Sequence, residues 1–407
     1  MDVEKTHSNI DTLGLGKQHL IQSYAPNLVI ERGEGCHLYA ENGKHYLDFM
    51  SGIGVNALGH AHPRVVRILK EQINTLIHCS NLYASRYQAP LAEHLARISG
   101  LQRVFFTNSG TESVEGAVKI TKIYGHNIDP KKYEIVALNG SFGGRTLGAV
   151  SVTGQPKHRA PVEPIIPGVK FVDPNDISGL EAAVCEQTAG ILFEPILGEG
   201  GIVSINREFA ARAAALSKQY DTLLVFDEIQ SGLGRTGKHF SFQWWNEGSE
   251  EQIQPDIVVT AKPLASGLPL GAIIANERAS ATITPGSHGS TFGGNVLACR
   301  VALEFLVLLE DLLPEILEKG AYFSEQLTKL IDKYDFVEGF RGRGLMCGLN
   351  LTVPGSSVVT QCQNRGFLIN CTAGTVLRFL PPYIIERAHI DALVATLDEI
   401  FRQGPPD

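Results

Sequence analysis

The chain has 407 residues, 43% of them hydrophobic and 19% charged, with a formal net charge of −8. That length suffices for two or three packed units around a large core, and the balance is ordinary for a soluble enzyme. No run of Lys and Arg, no apolar stretch near the ~18 residues needed to span a bilayer, and no basic-then-apolar start in Met1-Asp2-Val3-Glu4-Lys5-Thr6 is present, so no nucleic acid, no membrane and a cytoplasmic setting are expected.

In chain order, Gly35–Phe49 reads as a hairpin turning at Glu41-Asn42-Gly43-Lys44. From about residue 100 to 275, short apolar strands alternate with amphipathic helical stretches. Strands are predicted at Arg103–Thr107, Tyr133–Leu138, Gly190–Phe193, Leu223–Phe226, Ile257–Thr260 and Gly271–Ala275, and helices at Glu112–Tyr124 and Glu208–Lys218. This alternation implies an α/β fold, with a mostly parallel sheet joined by right-handed crossovers. Beyond residue 295 two helical stretches, Leu297–Glu310 and Leu313–Tyr334, precede strands around Arg343–Leu351 and Val376–Leu380, an α+β pattern that suggests a smaller second domain.

Two strand ends carry charge. Asp227 closes the apolar run Thr222-Leu223-Leu224-Val225-Phe226, and Lys262 closes Ile257-Val258-Val259-Thr260-Ala261. If the strands are parallel neighbours, an acid and an amine emerge at one edge of the sheet. Pyridoxal phosphate needs that pairing: a lysine for the Schiff base and a carboxylate to keep the pyridine nitrogen protonated. A structural ion pair is the plainer alternative.

Asn108-Ser109-Gly110-Thr111-Glu112 lies between a predicted strand and a helix. Its hydroxyls and the free N–H groups of the helix start suit a phosphate, although the same residues serve equally as a simple N-cap. His288-Gly289-Ser290-Thr291-Phe292-Gly293-Gly294-Asn295 is either a second phosphate-reaching segment or a flexible loop. Gly232–Lys238 has the spacing of a nucleotide loop, but His239 follows where a Ser or Thr must bind Mg²⁺. Gly342-Arg343-Gly344-Leu345-Met346-Cys347 lacks the third glycine of a dinucleotide fingerprint. Seven scattered cysteines without a C-x-x-C argue for reduced thiols, and His60-Ala61-His62 has no further ligand set, so no metal is expected.

Taken together, these pieces resemble the class III (subgroup II) pyridoxal-phosphate aminotransferases of fold type I. The resemblance spans about Tyr24 to Ile400 and rests on Ser51–His60, Asn108–Glu112, Glu194–Gly201, Asp227–Gln230, Gly232–Gly237, Ala261-Lys262, Ser290–Asn295 and Leu377-Arg378-Phe379. It implies a large domain with a mostly parallel, mixed sheet flanked by helices, at residues 60–295. A smaller α+β domain would then come from both chain ends, at residues 1–59 and 296–407. By the same resemblance Lys262 is the Schiff-base lysine and acid/base, Asp227 the partner of the pyridine nitrogen, and Gln230 that of the ring hydroxyl. Phe142 would stack on the ring. Ser109, Gly110 and Thr111 would hold the phosphate, and Ser290 and Thr291 would reach it from the neighbouring subunit of a homodimer with shared active sites.

The resemblance also assigns a substrate logic. Arg145 matches a carboxylate-binding arginine, Arg378 a second one, and Glu199 the carboxylate that gates Arg378. Glu199 would neutralise Arg378 for an ω-amine and swing aside for glutamate, while Tyr24 would touch the substrate or pack at the pocket mouth. The expected reaction transfers the terminal amine of N²-acetyl-L-ornithine to 2-oxoglutarate by a ping-pong route, in arginine biosynthesis. Another ω-amino acid donor (4-aminobutyrate, succinylornithine, ornithine or a lysine-pathway analogue) is the nearest alternative, and an aminomutase a further one. Gly143 and the run Pro263-Leu264-Ala265-Ser266 depart from the common pattern and bear on the pocket's shape, and Gly52 leaves room for an acylated chain.

Overall fold

A computed structural model describes residues 11–405, so Met1–Thr6, read above for a leader, lies outside the described residues. Seven strands form the large sheet: β1 (Arg103–Thr107), β2 (Glu134–Leu138), β3 (Val169–Val172), β4 (Thr188–Phe193), β5 (Leu223–Asp227), β6 (Ile257–Thr260) and β7 (Gly271–Ala275). Their spatial order is β1-β7-β6-β5-β4-β2-β3. All neighbours run parallel except β7, which is antiparallel to both β6 and β1. The mixed, mostly parallel sheet agrees with the expectation. Edge strand β3 was not anticipated: three of its four residues are only half-buried and Lys170 interrupts the run, so the apolar signal is weak.

Alternation along the inner strands assigns their two faces. Leu223 and Val225 pack with Val114, Ala117, Val118 and Ile120 of the helix Gly110–Ile128, together with Ile257 and Val259. Leu224, Phe226 and Val258 join the larger cluster on the other side. Each such side chain, once buried, contributes roughly 1.5–3 kcal/mol, which holds that helix on the sheet. The period of two then carries on to Asp227, which leaves the strand on the face that the helix covers.

The chain ends meet in smaller sheets. The hairpin Ile30–Glu34, His37–Ala40, His45–Asp48 gains Phe367–Leu368 as a parallel fourth strand. A second, antiparallel sheet takes Val337–Arg343, Met346–Leu351, Val376–Phe379 and Asn370–Thr372. The near-fingerprint glycines belong to a simple hairpin, Gly342 in the strand opposite Cys347 and Gly344 in the turn between Arg343 and Met346, both at positive φ.

One expectation is corrected. The two predicted helices from Leu297 to Glu310 and from Leu313 to Tyr334 are a single helix, Val296–Ile331, running through Pro314. Proline removes one intrahelical hydrogen bond, but Leu309 and Ile316 on either side of it are buried, and packing outweighs the local break. Among the described residues no helix is long and apolar enough to cross a membrane.

Candidate active site

In the parallel register of β5 and β6, Asp227 stands opposite Val259, and Lys262 follows that strand's end. The acid and the amine therefore emerge at the same sheet edge, as expected. Both line a cavity of about 230 Å³ with Gly110, Thr111, Phe142, Gly143, Gly144, Arg145, Glu194, Glu199, Ile229 and Gln230. Most residues singled out from the sequence thus come together in one pocket.

The helix Gly110–Ile128 begins at its mouth. Ser109 is the N-cap, its Oγ accepting the Glu112 N–H at 3.3 Å, while the Glu112 carboxylate reaches back to the Asn108 N–H at 2.7 Å. Ser109 is thus a cap, and Gly110 and Thr111, whose N–H groups have no partner within the helix, line the cavity. Thr111 Oγ1 accepts the Arg145 N–H at 3.0 Å, which ties the Phe142–Thr146 loop to the helix start. Close packing selects small residues there. A Cβ on Gly144, at φ +135°, would lie 2.1 Å from Thr111 Oγ1, and one on Gly143 would lie 2.7 Å from the Ala149 carbonyl oxygen.

Electrostatics at the sheet edge are strained by burial. The only hydrogen bond to the Asp227 carboxylate among the described residues comes from the Ile229 N–H, at 3.0 Å. Burial pushes the Asp227 carboxyl well above the usual carboxylate range, against the opposing pull of that N–H and of Lys262. Burial, and then the charge of Arg378, pull the Lys262 ammonium below its ordinary range, with Asp227, Glu199 and Glu194 opposing. The shift is toward the neutral amine, the form that attacks a carbonyl.

Arg378, on the strand Val376–Phe379, lies behind Glu199 and Gln230 and is 2% exposed. Its Nη1 donates to Glu199 Oε1 at 2.6 Å and to Gln230 Oε1 at 3.4 Å, and its Nη2 to Asn370 Oδ1 at 3.2 Å. Burial would raise the Glu199 carboxyl, but the charge and hydrogen bond of Arg378 more than offset it and hold it below the usual range. Thr372 Oγ1 donates to the Glu199 carbonyl at 2.7 Å, so the smaller sheet grips this residue by its backbone as well.

Three sequence candidates lie elsewhere in this chain. Tyr24 is 86% exposed on the N-terminal segment, in a separate groove. Ser290 and Thr291 line a different cavity of about 880 Å³ with His78, Asn81 and Gln88. There Ser290 Oγ accepts from Asn108 Nδ2 at 3.1 Å and from the Gly293 N–H at 2.9 Å.

Two stretches named only as motifs have structural roles that the sequence did not assign. Glu194 is 6% exposed, and its carboxylate accepts the Phe142 N–H at 2.9 Å and the Gly198 N–H at 3.0 Å, which joins two walls of the pocket. Burial, then the nearby charge of Asp227, push its carboxyl up. The signal that singled out Asp227, a charge ending a fully buried strand, was present here too, since Glu194 follows Thr188–Phe193. The second is the loop Ser51–Gly54, where four successive residues have positive φ, including Ser51 at 45° and Ile53 at 63°. Asp48 Oδ1 accepts the Met50 and Ser51 N–H groups, and Asp48 Oδ2 pairs with His60 Nε2 at 2.8 Å, holding this strained turn beside Lys262. Gly52 lies in it at φ 67° and is exposed.

The donor set suits pyridoxal phosphate: a buried acid lacking a strong cation partner, an amine shifted toward its neutral form, and free N–H groups at a helix start. Fold and site together define a fold type I pyridoxal-phosphate-dependent transferase. The comparisons narrow the class. The Aminotransferase class-III family profile matches residues 21–401. An acetylornithine aminotransferase of Methanocaldococcus jannaschii is 43% identical over 396 residues, covering 96% of this chain and 98% of the relative. One of Aquifex aeolicus is 45% identical over 385 residues, covering 94% and 100%. A structure of the Toxoplasma gondii ornithine aminotransferase, described with partial occupancy of pyridoxal phosphate at its active site, superposes with a TM-score of 0.91 at 30% identity, covering 98% of this chain and 97% of that one. The chain belongs to the class III aminotransferases and is a pyridoxal-phosphate-dependent transaminase.

Proposed function

We propose that this transaminase takes the terminal amino group of N²-acetyl-L-ornithine and passes it to 2-oxoglutarate by a ping-pong route, in arginine biosynthesis. The observation that carries the reading is the pairing of buried Arg378 with Glu199 at 2.6 Å, behind a pocket that also holds an arginine, Arg145, with no carboxylate partner among the described residues. One arginine is closed by an internal acid and one stays open, which suits a site serving an ω-amine and a dicarboxylate in turn. The names of the two relatives support the donor.

When bound, pyridoxal phosphate supplies the carbonyl that receives the amine and an electron sink for the substrate carbon. Lys262 would hold it covalently and then move the proton at the reacting carbon, burial lowering the pKa of its ammonium. Asp227 would keep the ring nitrogen protonated, and Gln230 would meet the ring hydroxyl. Phe142 would cover one ring face. The Gly110 and Thr111 N–H groups and the Ser109 hydroxyl would hold the phosphate. Arg145 would grip the distal carboxylate of both substrates, while Glu199 covers Arg378 for the acylated donor and releases it for the oxo acid.

The reading includes a homodimer with shared sites, in which Ser290 and Thr291 reach the phosphate of the neighbouring subunit and Tyr24 borders a pocket mouth. The exposure of Tyr24 and Phe292, at 86% and 60%, supports a covering partner. It also divides the chain into a cofactor-binding domain, 60–295, and a smaller domain from 1–59 and 296–407, a division that the parallel pairing of Phe367–Leu368 with His45–Asp48 supports.

The test is the visible spectrum of the purified protein before and after N²-acetylornithine, without any oxo acid. Conversion of the aldehyde form of the cofactor to its amine form is expected. A bound cofactor that ignores this donor, yet converts with ornithine or 4-aminobutyrate, would replace the proposed substrate.

A further inference from the structure

We infer that His158 is a positioning residue for Arg145: a neutral imidazole that holds the guanidinium at the pocket mouth and so sets recognition of the donor's distal carboxylate. The inference rests on the reading of Arg145 as the carboxylate-binding arginine.

His158 belongs to the short turn Pro156–Arg159, which the chain reaches soon after the Arg145 loop. Its Nδ1 lies 3.1 Å from Arg145 Nη1. Its ring stands edge-on to Phe142, with centroids 6.4 Å apart at 88°, and Arg145 in turn lies over the Phe142 ring at 5.4 Å. Three side chains thus form one unit, two of which line the cavity. A guanidinium nitrogen can only donate, so Nδ1 must accept and the ring proton must sit on Nε2. The contact exists only while the imidazole is neutral. It occupies Nη1 and leaves the other guanidinium edge for a carboxylate.

The charged surroundings favour this state. Burial, then the charges of Arg145 and of Lys157 on its own turn, lower the imidazole's pKa, and Glu199 from the opposite wall opposes them. Arg159 takes no part, since it donates to the Thr153 carbonyl and lies over Phe171. At neutral pH the acceptor is therefore in place. Protonation would set two cations side by side and free Arg145 from its only side-chain hydrogen bond among the described residues.

The experiment uses the holoenzyme and the variants His158→Phe, His158→Gln and Arg145→Ala, with KM and kcat for N²-acetylornithine followed from about pH 5.5 to 8. With His158→Phe, KM should rise about tenfold near pH 7.5 while kcat falls far less, since one hydrogen bond to a charged group is lost from binding. With His158→Gln, whose amide oxygen accepts at every pH, KM should stay near that of the native protein and lose its rise on the acid side. A native KM that climbs as pH falls below about 6.5, and is flat in both variants, supports the inference. An unmoved KM in His158→Phe, or an acid rise that survives in His158→Gln, overturns it while leaving Arg145 in its role. An Arg145→Ala enzyme with an unchanged KM overturns the reading of Arg145 itself, and the inference with it.

Discussion

The two arginines beside the pocket are held in opposite ways. Arg378 is buried and meets a carboxylate, Glu199, with Gln230 and Asn370 in support. Arg145 is exposed, is anchored by its backbone N–H on Thr111, and its side chain meets the Phe142 ring and a ring nitrogen of His158, with no carboxylate among the described residues. Water explains the difference. A cation removed from water needs an internal counter-charge, and any ligand that displaces that charge must bring a carboxylate of its own. A cation left in water needs none, so a neutral partner can fix its direction while it waits for substrate. In the proposed reaction the first arrangement decides which substrate class is admitted, and the second holds what every substrate shares.

The severest test removes what both arms serve. Lys262→Ala should lower turnover by about 1000-fold or more, with the circular dichroism spectrum retained, because the nucleophile and proton carrier are gone. Retained activity would make the contrast between the arginines irrelevant to catalysis. Next, Arg378→Ala should slow the half-reaction with 2-oxoglutarate by about 100-fold and the half-reaction with the acylated donor far less, as read by single-turnover stopped flow. Equal losses in both would erase the division of labour.

The arms should also separate by pH. Glu199 is held below the usual carboxylate range, so its pair with Arg378 forms above that range and persists until the pH falls through the depressed value. His158 is also lowered, but it is a base, so its neutral form and its hold on Arg145 are lost as the pH falls through a value below about 6.5. Between about pH 7.5 and 5.5 the KM for a donor with a distal carboxylate should therefore rise, while Arg378 stays paired. Removal of the acid rise by Glu199→Gln, rather than by His158→Gln, would reverse the comparison. The smallest effect is expected from Thr111→Val, which deprives the Arg145 N–H of its acceptor at 3.0 Å. It should weaken cofactor retention in dialysis by about threefold to tenfold, close to one hydrogen bond.

What the linear order of residues could disclose, it disclosed through pattern. The inner strands were visible because burial on both faces demands unbroken apolar runs, and five of the six strands predicted for the large sheet both start and end within a residue of the observed ones. Asp227, Lys262 and the Ser109–Glu112 start stood out because charge, or a cap, interrupts such a pattern at a strand or helix end. Half-buried β3 carries no such pattern, and Pro314 looked like a break because a local rule says nothing of the core around it. Which charges share a pocket was decided only in three dimensions. Register sets Asp227 opposite Val259, a crossover brings Glu194 beside the loop of Phe142, and a turn some dozen residues on lays His158 against Arg145. These contacts depend on strand order and on loop closure. Neither leaves a periodic mark on the chain, so Asp227 with Lys262, and Glu199 with Arg378, could be anticipated as pairs, while the contacts of Glu194 with Phe142 and of His158 with Arg145 could not.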